Sequence, residues 1–216
     1  MIAPDFALGA FMPLVLLVRH GENEFVKKKK LPGRLPGIHL NEKGRQQAQA
    51  LAEKLKNAPL KAVYASPLER ALETAEPIAQ ALCLTVIPRP ALMDVDVGEW
   101  QGESLGKLRR NKLWKVVQGA PSRLRFPGGE TFAEAQQRMV AEIEALCKLH
   151  DPKEMFVCVS HADPIRLAVA YYLGLPLDLF QRLSVNTASI TALAIGEMGS
   201  HLLTLNYDLS LTFDKA

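Results

Sequence analysis

The feature that most constrains this chain is an apolar run that ends in a cation, an imidazole and a glycine. Leu14-Val15-Leu16-Leu17-Val18 leads directly into Arg19-His20-Gly21-Glu22. The run reads as a buried strand, and the carboxyl end of such a strand is where open α/β sheets bind ligands. Glycine at that point lets the backbone turn sharply and approach a ligand closely. Arginine supplies a planar, permanently charged fork suited to phosphate oxygens. Histidine is a nucleophile that titrates near neutral pH. Together these residue types suit phosphoryl transfer through a phosphohistidine.

The rest of the chain alternates short apolar runs with helical periodicity, the pattern of an α/β sheet. Asn41 to Lys56 reads as a helix capped by Asn41, with Ala48, Leu51, Ala52 and Leu55 on one face. Ala62 to Ala65 is a short strand. Ser66 is expected to cap the next helix, with Pro67 in its first turn and an end near Leu82. Leu84 to Ile87 is another strand, closed by Pro88 and Pro90. Residues 91–127 form a less regular excursion with one expected helix, from about Leu105 to Gln118, placed over one end of the sheet. A long helix follows from about Thr131 to Lys148. Met155 to Ser160 is a strand ending in Ser-His, and Pro164 to Leu173 is a helix. Thr187 to Ile195 and His201 to Asn206 read as a final hairpin or edge pair.

Composition bounds the function. A chain of 216 residues predicts a single domain over 1–216 with a sizeable core, and residues 1–11 read as a dispensable N-terminal extension. The net charge of +3 is too mild for a dedicated nucleic-acid binder and compatible with an anionic small substrate. No apolar run reaches the ~20 residues needed to span a bilayer, so no membrane partner is expected. Cys83, Cys147 and Cys158 lack metal-type spacing and read as free thiols in a reducing compartment, which predicts a cytoplasmic protein.

Three further segments carry chemistry. In Ser66-Pro67-Leu68-Glu69-Arg70-Ala71, Arg70 falls in the first turns of a helix, where free N–H groups already favour anions. In Ser160-His161-Ala162-Asp163, His161 follows a buried strand as His20 does. If the two strands are parallel and central, both imidazoles emerge at one edge. The segment from Leu92 to Gly102 offers several carboxylates near glycines, and a raised carboxyl pKa would suit general acid and base work.

These elements, in this order and spacing, resemble the histidine phosphatase superfamily, also called phosphoglycerate mutase-like. Its pattern is Arg-His-Gly near the start, Ser-Pro-x-x-Arg-Ala in a helix, an acid-bearing loop, and Ser-His-Gly late in the chain. The likeness runs from about residue 13 to residue 206. It implies a three-layer α/β/α sandwich with a mostly parallel central sheet. It implies that His20 is the nucleophile and that Arg19, Arg70 and His161 ring the phosphoryl group as a set of cations. The family's acid lies two residues after a Leu and four before a Gly, with another Gly four further on. Leu92, Gly98 and Gly102 fit that frame and put the acid at Asp94, with Glu99 or Asp163 as possible helpers. Many relatives carry Glu there, and Asp is shorter by about 1.5 Å. No metal and no cofactor are implied.

The chain departs from the pattern in several places. Where many relatives have Thr and Asn lining the phosphate pocket, this chain has Asn23 and Val26. Asn23 is a candidate phosphate contact, whereas Val26 cannot donate from its side chain. Ala162 replaces the family's Gly, and its backbone N–H remains available. Asp163 is unusual so near a phosphate and needs a partner or a role as a base. Lys27 to Lys30 read either as a solvated flexible loop or as an electrostatic funnel. Trp100, Trp114, Leu108, Leu113 and Phe126 read either as core or as an apolar lid that favours a substrate with a nonpolar portion.

The expected activity is a metal-independent phosphatase acting on a small phosphorylated metabolite. A phosphoglycerate mutase is the alternative, although the stretch from Glu103 to Phe126 is compact and the mutase branch carries a longer insertion there. A catalytically weak regulatory or binding member of the same fold is a third reading. The oligomeric state is open, a homodimer included.

Overall fold

The apolar runs become the strands of one six-stranded sheet. In the computed structural model, residues 12–196 and 199–208 are described. The expected N-terminal extension over residues 1–11 lies outside them. β1 (Leu14–Arg19), β2 (Leu60–Ala65), β3 (Val86–Pro88) and β4 (Met155–Ser160) run parallel in the order β3-β2-β4-β1. β5 (Ile190–Gly196) pairs antiparallel with β1, and β6 (Gly199–Tyr207) pairs antiparallel with β5 at the edge.

The helices are α1 (Glu24–Lys27), α2 (Glu42–Leu55), α3 (Glu69–Ala81), α4 (Leu105–Leu108), α5 (Trp114–Gly119), α6 (Phe132–Cys147) and α7 (Ala162–Tyr172). Side chains alternate across β1 and β4, as the period of a strand requires. Leu16, Val18, Val157 and Val159 pack with Leu51 of α2 and Ile78 of α3. Val15, Leu17, Phe156 and Cys158 pack with Met139 and Ile143 of α6 and Ile165 and Ala168 of α7. The sheet is therefore covered on both faces, which is why its central strands are continuously apolar. The result is the expected α/β/α sandwich.

Local signals explain the long helices. Asn41 accepts the Gly44 N–H at 2.9 Å and starts α2. Thr131 and Glu134 exchange hydrogen bonds in a capping box and start α6.

Three sequence expectations need correction. Ser66 does not cap α3, which begins at Glu69 after Leu68. The Ser66 N–H donates to the Val159 carbonyl at 2.9 Å, so this residue still belongs to the ladder of β2 and β4. α7 begins at Ala162 rather than Pro164 and has His161 at its N-cap position. The excursion holds two short helices, α4 and α5, instead of one continuous helix. They are held by a third apolar cluster that includes Trp100, Leu108, Val117, Leu124 and Phe126.

Candidate active site

Strand register sets the core of the site. Arg19 is paired with Ser160 across β1 and β4, so His20 and His161 are the next residue on each of two neighbouring parallel strands. Their rings lie 5.1 Å apart between centroids. Both are buried. The Gly21 N–H donates to Thr74 Oγ1 at 3.0 Å, and Thr74 Oγ1 donates to the Arg70 carbonyl at 2.7 Å. This links the turn after β1 to the first turns of α3. Gly21 is needed for a different reason than a turn or a ligand. It lacks a positive φ, and a Cβ on it would sit 2.7 Å from the Gly44 carbonyl oxygen of α2.

His20 has a defined polarity. Its Nδ1 lies 2.7 Å from the Gly21 carbonyl, which only accepts, so Nδ1 carries the proton. Nε2 then keeps its lone pair, and His20 lines the central cavity. Burial, reinforced by Arg70 and Arg19, holds its pKa well below 6.5. His20 is thus a neutral imidazole with a free lone pair across the neutral range.

His161 is neutral for the same cause, burial first and Arg70 next. In this state it acts as a hydrogen-bonding group. Its Nε2 is 2.9 Å from Ser66 Oγ, and its Nδ1 is 3.7 Å from Asp94 Oδ2. A carboxylate facing Nδ1 favours a proton there, with the Ser66 hydroxyl donating to Nε2.

Arg70 is wholly buried. One guanidinium nitrogen donates to the Gly33 carbonyl at 2.7 Å and to Asp94 Oδ2 at 3.2 Å. Arg19 Nη1 donates to the Val185 carbonyl at 2.7 Å. Burial, and then Arg166, push the Arg19 pKa down to about 10, which leaves it charged at neutral pH. Arg19 Nε, Arg70 Nε, Arg70 Nη1 and His161 Nδ1 are buried and have no hydrogen-bond partner in the protein. Buried donors cost stability when unpaired, so a cluster of four is a site built for an anion.

Asp94 stands opposite. Its Oδ1 accepts the Val95 N–H at 2.9 Å, and Oδ2 faces Arg70 and His161. Burial pushes its pKa up to about 6 against the pull of Arg70. A carboxyl of that kind can hold a proton near neutral pH and release it. Among the carboxylates of this loop, Asp96 turns back to accept the Gly98 N–H, and Glu99 is exposed. Asp163 lines the cavity and is paired with Arg166 at 3.0 Å.

The cavity measures about 440 Å³. Arg19, His20, Asp94 and Ala162 line it, whereas Arg70 and His161 pack behind this wall. Asn23 does not reach it. Its Oδ1 accepts the Val26 N–H at 2.9 Å as the cap of α1, and its buried Nδ2 has no hydrogen-bond partner in the protein. The site therefore brings together Arg19, His20, Arg70, Asp94, His161 and Ala162, while Asn23 caps α1 through its Oδ1 and keeps a buried, unpartnered Nδ2. Val26 does line the cavity. The lysine run is not a free loop. Lys27 and Lys28 pair with Glu24 at 3.8 and 3.1 Å. Lys29 and Lys30 line the cavity, and the Leu105 N–H donates to the Lys29 carbonyl at 2.9 Å.

Residue 15 to residue 208 match the description "Histidine phosphatase superfamily (branch 1)". The chain belongs to this superfamily. Phosphoserine phosphatase 1 of Hydrogenobacter thermophilus is 32% identical over 200 residues, covering 90% of this chain and 92% of that one. The 2,3-bisphosphoglycerate-dependent phosphoglycerate mutase of Thermoplasma acidophilum is 30% identical over 195 residues, covering 90% and 92%. The solved structure of Bacillus stearothermophilus YhfR superimposes with a TM-score of 0.84 at 26% identity, covering 92% of this chain and 98% of that one. A relative named as a phosphatase and one named as a mutase thus each match over about nine-tenths of both chains.

Sequence reasoning missed the residues that hold the acid loop of this superfamily member. Arg138 on α6 donates to the carbonyls of Ala91 at 2.7 Å, Met93 at 2.9 Å and Asp94 at 3.0 Å. Arg34 Nε donates to the same Asp94 carbonyl at 2.9 Å. Glu130 bridges them, accepting from Arg138 at 2.7 Å and Arg34 at 3.0 Å. Ser160 Oγ donates to the Leu92 carbonyl at 2.8 Å and fixes the loop to the end of β4. An arginine in the middle of an amphipathic helix carries no local signal of this role. Among the described residues, no group of three or more His, Cys, Asp or Glu is placed to hold a metal ion. No helix among them is long and apolar enough to cross a membrane.

Proposed function

We propose that this protein is a metal-independent phosphatase that hydrolyses a small phosphorylated metabolite through a phosphohistidine at His20. The single observation that carries this reading is the neutral His20 lining a cavity, with unpartnered buried donors of Arg19, Arg70 and His161 gathered beside it. His20 Nε2 attacks phosphorus in line, forming the N–P bond as the ester P–O bond breaks. Asp94 gives its proton to the departing oxygen, and the alcohol leaves. Asp94, now a carboxylate, takes a proton from water as that water attacks phosphorus. The N–P bond breaks, inorganic phosphate forms, and both groups return to their starting states. Arg19, Arg70 and the Nδ1–H of His161 stabilise charge on the phosphoryl oxygens, and the Ala162 N–H is available to them.

Relatives named for phosphatase activity agree with this reading. A phosphoglycerate mutase is the second reading, favoured by a mutase of nearly equal identity. A catalytically weak scaffold fits poorly, because buried N–H donors without partners are costly to keep without a task.

Steady-state hydrolysis of p-nitrophenyl phosphate with a chelator present, in wild type and His20→Ala, tests the proposal. The expected result is activity that survives the chelator and falls by at least about 10⁴-fold in the variant. Activity that the chelator abolishes, or that the variant keeps, overturns it. Conversion of phosphoglycerate to its isomer without phosphate release supports the mutase reading instead.

A further inference from the structure

The outer part of the cavity is unlike its catalytic end. Val97, Trp100, Trp114, Val117, Phe126 and Phe132 line it. The two indoles stack with centroids 6.3 Å apart, and Phe126 meets Trp100 edge-on at 5.4 Å. Of these, Trp114 is only partly buried, so its ring is the surface most open to a ligand. A cavity of about 440 Å³ falls within the ~300–1,000 Å³ range of sites that enclose most of a drug-sized molecule. A three-carbon phosphorylated acid would leave much of this apolar wall against water.

The charged groups on the wall point the same way. A carboxylate carried next to the substrate phosphate needs a cation whose charge is not already offset. Arg166 lines the cavity near Arg19, and although its Nε has no partner in the protein, its charge is offset by Asp163, which accepts from Nη1 at 3.0 Å. Asp163 thereby places a negative charge on the cavity wall where a second anionic group would lie. Lys29 and Lys30 also line the cavity but are exposed and well hydrated, so pairing with them gains little.

We propose that the site selects phosphate monoesters of apolar, aromatic-sized alcohols. Trp114 and its neighbours bind the alcohol portion. Asp163, by holding Arg166, disfavours monoesters with a carboxylate close to the phosphate. This inference rests on the phosphatase reading above and assigns its substrate class.

Three primary-alcohol esters separate the two effects at similar leaving-group reactivity: phenethyl phosphate, glycerol phosphate and phosphoglycerate. The expected order of kcat/KM is phenethyl phosphate over glycerol phosphate by about tenfold, and glycerol phosphate over phosphoglycerate by about tenfold. Trp114→Ala should cut the first ratio about fivefold while Trp114→Phe largely keeps it, with thermal melting confirming that both fold. Asp163→Asn should cut the second ratio about fivefold. Phosphoglycerate or glycerol phosphate as the preferred ester of the wild type overturns the inference and leaves the phosphatase reading intact. Ratios unmoved in the variants also overturn it. No hydrolysis of any ester above the His20→Ala background overturns both.

Discussion

At one end of the cavity, Arg19, His20 and His161 are placed by the register of two paired strands and by hydrogen bonds to buried partners. At the other end, Trp100, Trp114 and Phe126 are placed by mutual packing in an excursion of short helices. Backbone ladders are directional and leave little room for drift. Apolar packing is tolerant of exchange at similar volume. The proposed chemistry thus sits where geometry is strictly held, and the proposed wall for the variable half of a substrate sits where sequence can change cheaply. The acid loop lies between the two, and Arg138, Arg34 and Glu130 lend it the rigidity that it lacks by itself.

The strictly held end should be the more fragile in activity. The largest effect is expected from Arg70→Gln, which removes a buried cation from the phosphoryl group. A loss of about 10³-fold in kcat/KM is expected. The same change removes the charge that restrains Asp94, so the fall of activity at high pH should move upward from about 6. A loss under about tenfold would show that Arg70 serves the structure alone.

Asp94→Asn comes next. For an alkyl phosphate, whose leaving oxygen must be protonated, kcat should fall about 10²-fold or more. For p-nitrophenyl phosphate, it should fall much less. The sign of the pH dependence follows from the same group. The acid must be protonated, and its protonated fraction drops as pH rises through about 6, so wild-type kcat/KM for the alkyl ester declines above that pH. The variant should lack this decline. Because His20 has a pKa well below 6.5, no acidic loss of nucleophile should occur near 6.5. Equal losses on both esters would rule out the acid role.

Ser66→Ala should lower kcat about tenfold by releasing the His161 tautomer, with melting temperature little changed and Ser66→Thr restoring most of the loss. Nitrogen NMR of His161 reads the tautomer directly. An unaltered tautomer ratio in the alanine variant would remove Ser66 from the mechanism.

The smallest effect belongs to the cavity mouth. Replacing Lys29 and Lys30 by Gln should reduce kcat/KM by about two- to threefold at low salt and flatten its salt dependence. Lys27→Gln with Lys28→Gln should do less, since both are paired with Glu24. If the outer pair proved equally effective, the funnel would be a property of the whole run.

The sequence by itself determined the sheet. β1 and β4 are apolar up to their last residue, and a run of that kind has few ways to be buried other than between two helical layers. Motifs tied to strand ends and a helix start singled out Arg19, His20, Arg70 and His161, and the frame of the resembled family singled out Asp94. Tertiary structure alone decided the rest. The neutral state of His161 and the elevated acid at Asp94 arise from burial and from charges far apart in the chain. Ser66 reads locally as a helix cap, yet it is held in the ladder beside β4 and turned to His161. Asn23 reads as a phosphate contact, and the fold adds a second task, the cap of α1 through its Oδ1. Arg138 lies more than forty residues from the carbonyls that it secures. Motifs report what a backbone does over a few residues, whereas protonation, tautomer and long-range hydrogen bonds depend on which distant groups the folded chain brings within a few ångströms.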